Sequence, residues 1–195
     1  MVPGIVLAAG ASSRMGVPKP LLTLGDRTFL ARILESLRDG GVPWAVVVTR
    51  PGLAGVGDEV ARVGFGRLVE NPVPDAGQLS SLLAGLDAVD SPEVSGVLVT
   101  LVDVPLISAD TVRAVLAQAA GSRAQILRAV HRGRHGHPVL FKRSTFDALR
   151  RADPALGAKA VVRSHPVEDV EVSDAGITED IDTPEEYARL REAIR

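Results

Sequence analysis

Ile5-Val6-Leu7-Ala8-Ala9-Gly10-Ala11-Ser12-Ser13-Arg14-Met15-Gly16 is the stretch from which the architecture can be worked outward. Its apolar start, followed at once by small residues, describes a strand over 5–8 that ends in a tight loop. Consecutive rather than alternating apolar positions fit a strand covered on both faces. Six further runs read the same way, at 45–49, 66–70, 96–101, 125–130, 138–141 and 166–172. Between them lie stripes of helical spacing: Phe29, Leu30, Ile33, Leu34 and Leu37, then Leu79, Leu82, Leu83, Leu86 and Val89. Val112, Val115, Leu116 and Ala119 make a third stripe. Thr183-Pro184-Glu185-Glu186 supplies an N-cap, a first-turn proline and a capping-box glutamate for a last helix, with Tyr187, Leu190 and Ile194 on its buried side. Such alternation predicts an α/β fold, a mostly parallel sheet with helices on both faces. Positions 40–41 and 52–57 read as loops. With no repeat and no linker, residues 1–195 form a single domain.

Composition narrows the function. Of 195 residues, 46% are hydrophobic and 24% charged, as in ordinary globular chains. A net charge of −2 gives no broad cationic field, which disfavours a nucleic-acid partner. Aromatic residues are only 3%, too few for base-stacking platforms. The absence of cysteine removes disulfides, thiolate metal sites, iron–sulfur clusters and a Cys nucleophile, and fits a reducing cytosol. The first residues lack the basic and apolar regions of a secretory signal, and no run approaches the ~18–20 apolar residues of a membrane span. A soluble, cytoplasmic protein without membrane contact is expected.

The loop after the first strand lies where open α/β sheets bind ligands. A dinucleotide fingerprint needs Gly-x-Gly-x-x-Gly, but five residues separate Gly10 from Gly16. A Walker A loop needs four, then Lys and Ser or Thr, and Val17 follows Gly16. Small residues nevertheless let backbone N–H groups approach phosphate oxygens, while Arg14 offers a planar fork and Lys19 a point charge. On spacing alone, a plain surface loop with two solvated cations is an equal reading.

The string Leu7-Ala8-Ala9-Gly10-x-Ser12-Ser13-Arg14-Met15-Gly16-x-x-Lys19 resembles the signature of nucleotidyltransferases with the glycosyltransferase-A-like fold. Within them it is most similar to the molybdenum cofactor cytidylyltransferase (MobA-like) branch. The resemblance implies a three-layer α/β/α sandwich around a Rossmann-like, mostly parallel mixed sheet. It also implies that Leu7, Ala8, Ala9, Gly10, Ser12, Ser13, Arg14 and Lys19 hold a nucleotide. Arg14 and Lys19 would act on the departing pyrophosphate. The implied substrates are CTP or another nucleoside triphosphate and a small phosphorylated acceptor, molybdopterin first. A protein that receives the finished cofactor is implied as a partner, and Mg²⁺, with Mn²⁺ as substitute, as the metal.

Val97-Leu98-Val99-Thr100-Leu101-Val102-Asp103-Val104-Pro105 is a buried strand ending in an acid, and Pro105 stops the strand. Alone, an Asp before Pro is commonly a turn residue or cap. In the family an Asp-x-Pro here is the metal site, so the resemblance assigns Asp103 as a metal ligand and catalytic carboxylate. Val104 stands where the cofactor enzymes often carry Gln, and this leaves the acceptor open. Asp180-Ile181-Asp182-Thr183-Pro184 is similar to the family's closing motif, making Asp182 the second metal ligand with Asp180 in reserve. Capping alone would select similar residues.

Asn71-Pro72 and Gly77-Gln78-Leu79-Ser80-Ser81 resemble the nucleobase segment, with Gly77 and Ser81 at the base and Ser80 as a helix cap. Ala9 gives Ala-Ala-Gly where the guanylyl branch has Ala-Gly-Gly; the methyl narrows the pocket and favours CTP. His131, His135 and His137 sit near Gly133 and Gly136 and read as a hairpin tip rather than a zinc cluster. Gly136-His137-Pro138 resembles the acceptor-side strand, so His137 is assigned to the acceptor, and Lys159 of Gly157-Ala158-Lys159 is assigned as an anion contact. The rival readings are a nucleotidyltransferase for a sugar 1-phosphate or phospholactate-type acceptor, and a non-catalytic nucleotide-binding or cofactor-delivery protein. A nicotinamide oxidoreductase, which shares the sheet type, is a third rival, but the glycine spacing is wrong and a nicotinamide titration should show nothing.

Overall fold

The computed structural model describes residues 1–10 and 16–193. In chain order its elements begin with β1 (Gly4–Leu7), β2 (Thr23–Leu24), β3 (Arg27–Thr28), α1 (Phe29–Asp39), β4 (Ala45–Thr49), α2 (Val56–Val63), β5 (Arg67–Glu70) and α3 (Gln78–Val89). They continue with β6 (Gly96–Leu101), α4 (Ala109–Gly121), β7 (Ile126–His131), β8 (Arg134–Lys142), α5 (Phe146–Arg150), α6 (Ala158–Ser164), β9 (Val167–Glu171) and α7 (Pro184–Ala193). Seven strands form one sheet in the order β5-β4-β1-β6-β8-β7-β9, and β2 pairs with β3 in a small antiparallel hairpin.

The sheet is mixed. β5, β4, β1 and β6 are mutually parallel. β8 runs antiparallel to both β6 and β7, and β9 is again parallel to β7. Within the parallel half β1, β4 and β6 are buried at nearly every position, while the edge strand β5 is largely exposed. Their side chains still alternate between faces, as period 2 requires. Val6, Val47 and Leu98 pack with α1, α2 and α4, whereas Ile5, Val46 and Val97 pack with α3, α5 and α6. The result is a three-layer α/β/α sandwich.

Local chemistry explains the helix starts. Thr28 accepts Ala31 N–H at 3.0 Å ahead of α1, and Ser108 accepts Thr111 N–H at 3.2 Å ahead of α4. The capping box of α7 forms as the sequence predicts: Glu186 N–H donates to Thr183 Oγ1, and Glu186 Oε2 accepts Thr183 N–H. α7 then rests on the β2–β3 hairpin through a small core of Leu22, Leu24, Phe29, Ile181 and Leu190.

Two expectations are corrected. Positions 52–57 were read as loop, yet Val56 opens α2, which buries Val56 and Val60 against the main core. Eight residues containing Gly57 leave too short a stripe to register as a helix. The strand expected at 138–141 begins at Arg134, because Arg132 and Gly133, both at positive φ (49° and 76°), make a tight turn from β7. Its polar first half carries no apolar pattern. Among the described residues, no helix is long and apolar enough to cross a membrane.

Candidate active site

The carboxyl ends of β1 and β6 lie side by side, with Leu7 paired to Leu101. Val102 N–H donates to Leu7 O at 3.0 Å, so the two chains leave the sheet together. From β1 run Ala8 and Ala9, both buried, and then exposed Gly10. Ser12, Ser13 and Arg14, assigned above to the nucleotide, lie outside the described residues, as does Ile194. Lys19 opens a 3₁₀ turn, Lys19–Leu21, that turns the chain back over the sheet edge.

Three of the assigned residues converge here. Lys19 Nζ is 2.5 Å from Asp182 Oδ1 and 3.9 Å from Asp103 Oδ2. Two acids far apart in sequence therefore flank one ammonium. Asp103 N-terminal to Pro105 has one carboxylate oxygen, Oδ1, buried without a hydrogen-bond partner. Its carboxyl is pushed up to about 6, first by burial and further by the nearby charges of Asp180 and Asp182, with Lys19 pulling the other way. The group is thus poised to gain from a positive charge brought to Oδ1.

That donor set suits a hard divalent cation. Two carboxylates and no soft ligand match Mg²⁺ or Mn²⁺, which take oxygen ligands and complete their shell from substrate and water. Among the described residues no group of three His, Cys, Asp or Glu gathers into a self-sufficient metal site. Substrate oxygens would have to finish the coordination, as expected of a metal bound together with a triphosphate.

How the second acid arrives was not legible in the sequence. Ile181 N–H donates to Asp103 O at 2.9 Å, tying the two acid-bearing segments directly. Upstream, Asp174 acts as a latch: Oδ2 accepts Ser108 N–H (2.8 Å) and Thr111 Oγ1–H (2.7 Å), while Oδ1 accepts Gly176 N–H (3.0 Å). The turn Ala175–Thr178 is wedged between β8 and the 103–107 loop. A Cβ at Gly176 would meet Leu106 O at 2.6 Å, and one at Gly136 would meet Ile177 O at 2.1 Å. Only glycine permits this approach. Asp-x-Gly in a sequence signals a turn, but not one pressed against another loop.

On the other side of β1, Gly77 (φ 91°) precedes α3. Ser81, expected to face a base, is buried at 4% exposure, and its Oγ accepts Asn71 Nδ2 at 3.0 Å. Ser80 accepts the same amide at 2.8 Å, and its hydroxyl also lies 2.7 Å from Gly77 O. Asn71 Oδ1 in turn accepts Val73 N–H. The serines therefore brace the 71–77 loop through Asn71, and the sequence reading missed that bracing role.

A cleft of about 950 Å³ opens between β8, α3 and α6, with Leu7, Leu101 and Asp180 at its inner end. Its size falls within the range of small-molecule sites. His137 and Lys159, the acceptor candidates, both line it. His137 Nδ1 is 3.4 Å from Val99 O, and burial holds its imidazole below the ordinary histidine range, so it is neutral near pH 7. His135 and His131 point to other partners: Asp169 for His135 and Val172 O for His131.

Known proteins resemble this chain as a whole. Residues 4–170 match the family model of the MobA-like NTP transferase domain, a span that stops short of Asp174 and Asp182. Purine catabolism protein PucB of Bacillus subtilis (strain 168) is 28% identical over 200 residues, covering 98% of this chain and 96% of that protein. Molybdenum cofactor guanylyltransferase of Rhizobium meliloti (strain 1021) is 36% identical over 113 residues, covering 53% of this chain and less than half, 46%, of that protein. Among solved structures, Rv0371c from Mycobacterium tuberculosis H37Rv superposes with a TM-score of 0.84 at 30% identity over 98% of both chains. A second structure of Rv0371c is a complex with manganese, with a TM-score of 0.77 at 29% identity over 98% of both chains.

Proposed function

Because the chain belongs to the MobA-like NTP transferase domain family, and so is a nucleotidyltransferase, we propose that it moves CMP from CTP onto a small phosphorylated acceptor, with a molybdopterin-type cofactor as first choice. Pyrophosphate is the other product. The observation that carries this reading is the meeting of Asp103 and Asp182 around Lys19 at the carboxyl ends of β1 and β6.

In this reading a phosphate oxygen of the acceptor forms a bond to the α-phosphorus of CTP as the bond to the β-phosphate oxygen breaks. A phosphate monoester is already anionic near pH 7, so no general base is needed, and catalysis is chiefly positioning and charge neutralisation. Asp103 and Asp182 would hold Mg²⁺, which when bound supplies Lewis acidity and neutralises triphosphate charge. Lys19, beside both acids, would direct its ammonium to the triphosphate. Arg14 adds a fork to the departing pyrophosphate. Leu7, Ala8, Ala9, Gly10, Ser12 and Ser13 present backbone donors, and Gly77 with the braced α3 start borders the base. His137 and Lys159 face the acceptor. Ala9 narrows the base pocket, which favours cytosine over guanine. The reaction suits a cytoplasmic enzyme that hands its product to a partner protein.

The test is a matrix of CTP, GTP, ATP and UTP against pterin, sugar and phospholactate acceptors with Mg²⁺, following pyrophosphate. CTP with a pterin phosphate should give the fastest release. Asp103→Asn should lower that rate by about 10²–10³-fold with the fold intact. A near-parental rate in that variant, or release only with another acceptor class, refutes the respective part.

A further inference from the structure

Several cations line the large cleft; elsewhere some are paired with acids, while Arg32, Arg67 and Lys142 reach backbone carbonyls. Arg27, Arg50, Arg62, Arg113, Arg143 and Arg150 each contact a carboxylate. Inside the cleft, Arg128 is answered by Asp169 at 2.6 Å, and His135 lies 3.7 Å from the same acid. Arg134, Lys159 and Arg163 also line it, and among the described residues none of the three meets an acid. Among the described residues the lining contains a single carboxylate, Asp180. On a chain of net charge −2, this is a local excess, not a general surplus.

Their placement separates them from the reacting centre. Lys159 and Arg163 are four apart on α6 and share one helical face. Arg134 begins β8 at the hairpin tip and lines the same cleft. His137, against Val99 O two residues before the end of β6, lies within the electrostatic reach of Asp180. Arg134 lies three residues further out, roughly 10 Å along an extended strand. Apolar side chains, Leu82, Val139 and Val162 among them, line the space between. One phosphate cannot satisfy both ends.

We infer that Arg134, Lys159 and Arg163 form a second anion subsite, so that the acceptor carries an oxyanion group, phosphate or carboxylate, remote from the phosphate that reacts. Like charges gathered in a walled cleft repel one another and concentrate the field, and a bound anion relieves both effects. The substrate class is therefore a two-headed anion with an apolar or planar middle. Its role as an acceptor rests on the nucleotidyltransferase reading; the anion subsite itself does not.

The experiment titrates inorganic phosphate, and separately acetate, into ¹⁵N-arginine-labelled protein, with and without saturating α,β-methylene-CTP and Mg²⁺. The Arg134 and Arg163 side-chain signals should shift along one shared saturable curve in both conditions. The anion with the lower Kd identifies the second group as phosphate or carboxylate. Lys159→Gln and Arg163→Gln should each raise that Kd about tenfold while leaving affinity for the CTP analogue unchanged. Shifts that do not saturate, two unrelated curves, or variants with unaltered Kd overturn the subsite. Failure of the CTP analogue to bind, with the anion curve intact, sinks the CTP reading and leaves the subsite standing.

Discussion

From β5 to β6 every neighbouring pair of strands is parallel, whereas beyond β6 the sheet reverses at β8 and carries a hairpin that projects past the sheet edge. The first half presents loops at its carboxyl edge, built from small residues and a braced helix start. The second half encloses the cleft and, through β8, supports the turn that delivers Asp182. On the proposed reading the difference teaches a division of labour: the parallel half would offer a triphosphate platform and Asp103, and the antiparallel half would bring in Asp182 and the acceptor side. Such a division can be broken at single residues.

The largest effect is expected at Gly176. Gly176→Val places carbon where Leu106 O now lies 2.6 Å from the Cβ position, which should cost about 1–3 kcal/mol. Because this wedge holds the two acids in register, Mn²⁺ affinity read by electron paramagnetic resonance should fall more than about tenfold. Asp174→Ala comes next, since it removes three hydrogen bonds to a carboxylate. Its Mn²⁺ affinity should weaken about tenfold while affinity for metal-free nucleotide holds. Equal losses of both would mean general unfolding rather than a disturbed metal site.

The parallel half should answer differently. Asn71→Ala frees Ser80, Ser81 and the Val73 N–H, so the nucleotide KM should rise about tenfold with Mn²⁺ affinity unchanged. A shift in the metal instead would erase the proposed division. The smallest effect concerns stability. Asp103 titrates near 6 in the fold, above its ordinary value of 3.8, so its contribution is full below that ordinary value and is lost as pH rises through 6. Asp103→Asn should therefore melt a few degrees above the parent at pH 8 without metal, at about 2–4 °C per kcal/mol, with the gap closing below about pH 4. An unchanged gap across that window would show that the buried carboxylate carries no cost.

Legibility followed the same boundary. The central strands β1, β4 and β6 were visible as continuous apolar runs because burial on both faces writes itself into consecutive residues, whereas β5 and β9 are mostly unburied and β8 opens on polar residues. Asp103, Asp182 and Lys19 were visible through their motifs. α2 and the β2–β3 hairpin were not, being too short for a period to emerge. Ser81 was assigned to a base, yet its burial against Asn71 depends on a loop conformation with no sequence signature.

By itself the sequence determined the element types, the layered architecture and the chemical character of the site, because periodicity, caps and acid-ended strands are local properties. Only the tertiary structure decided that Asp103 and Asp182 share one ammonium, that Asp174 and Gly176 hold them there, and that three cations face one cleft with no acid partner among the described residues. Those facts depend on how distant segments pack, and close packing is set by the whole molecule rather than by any one stretch of it.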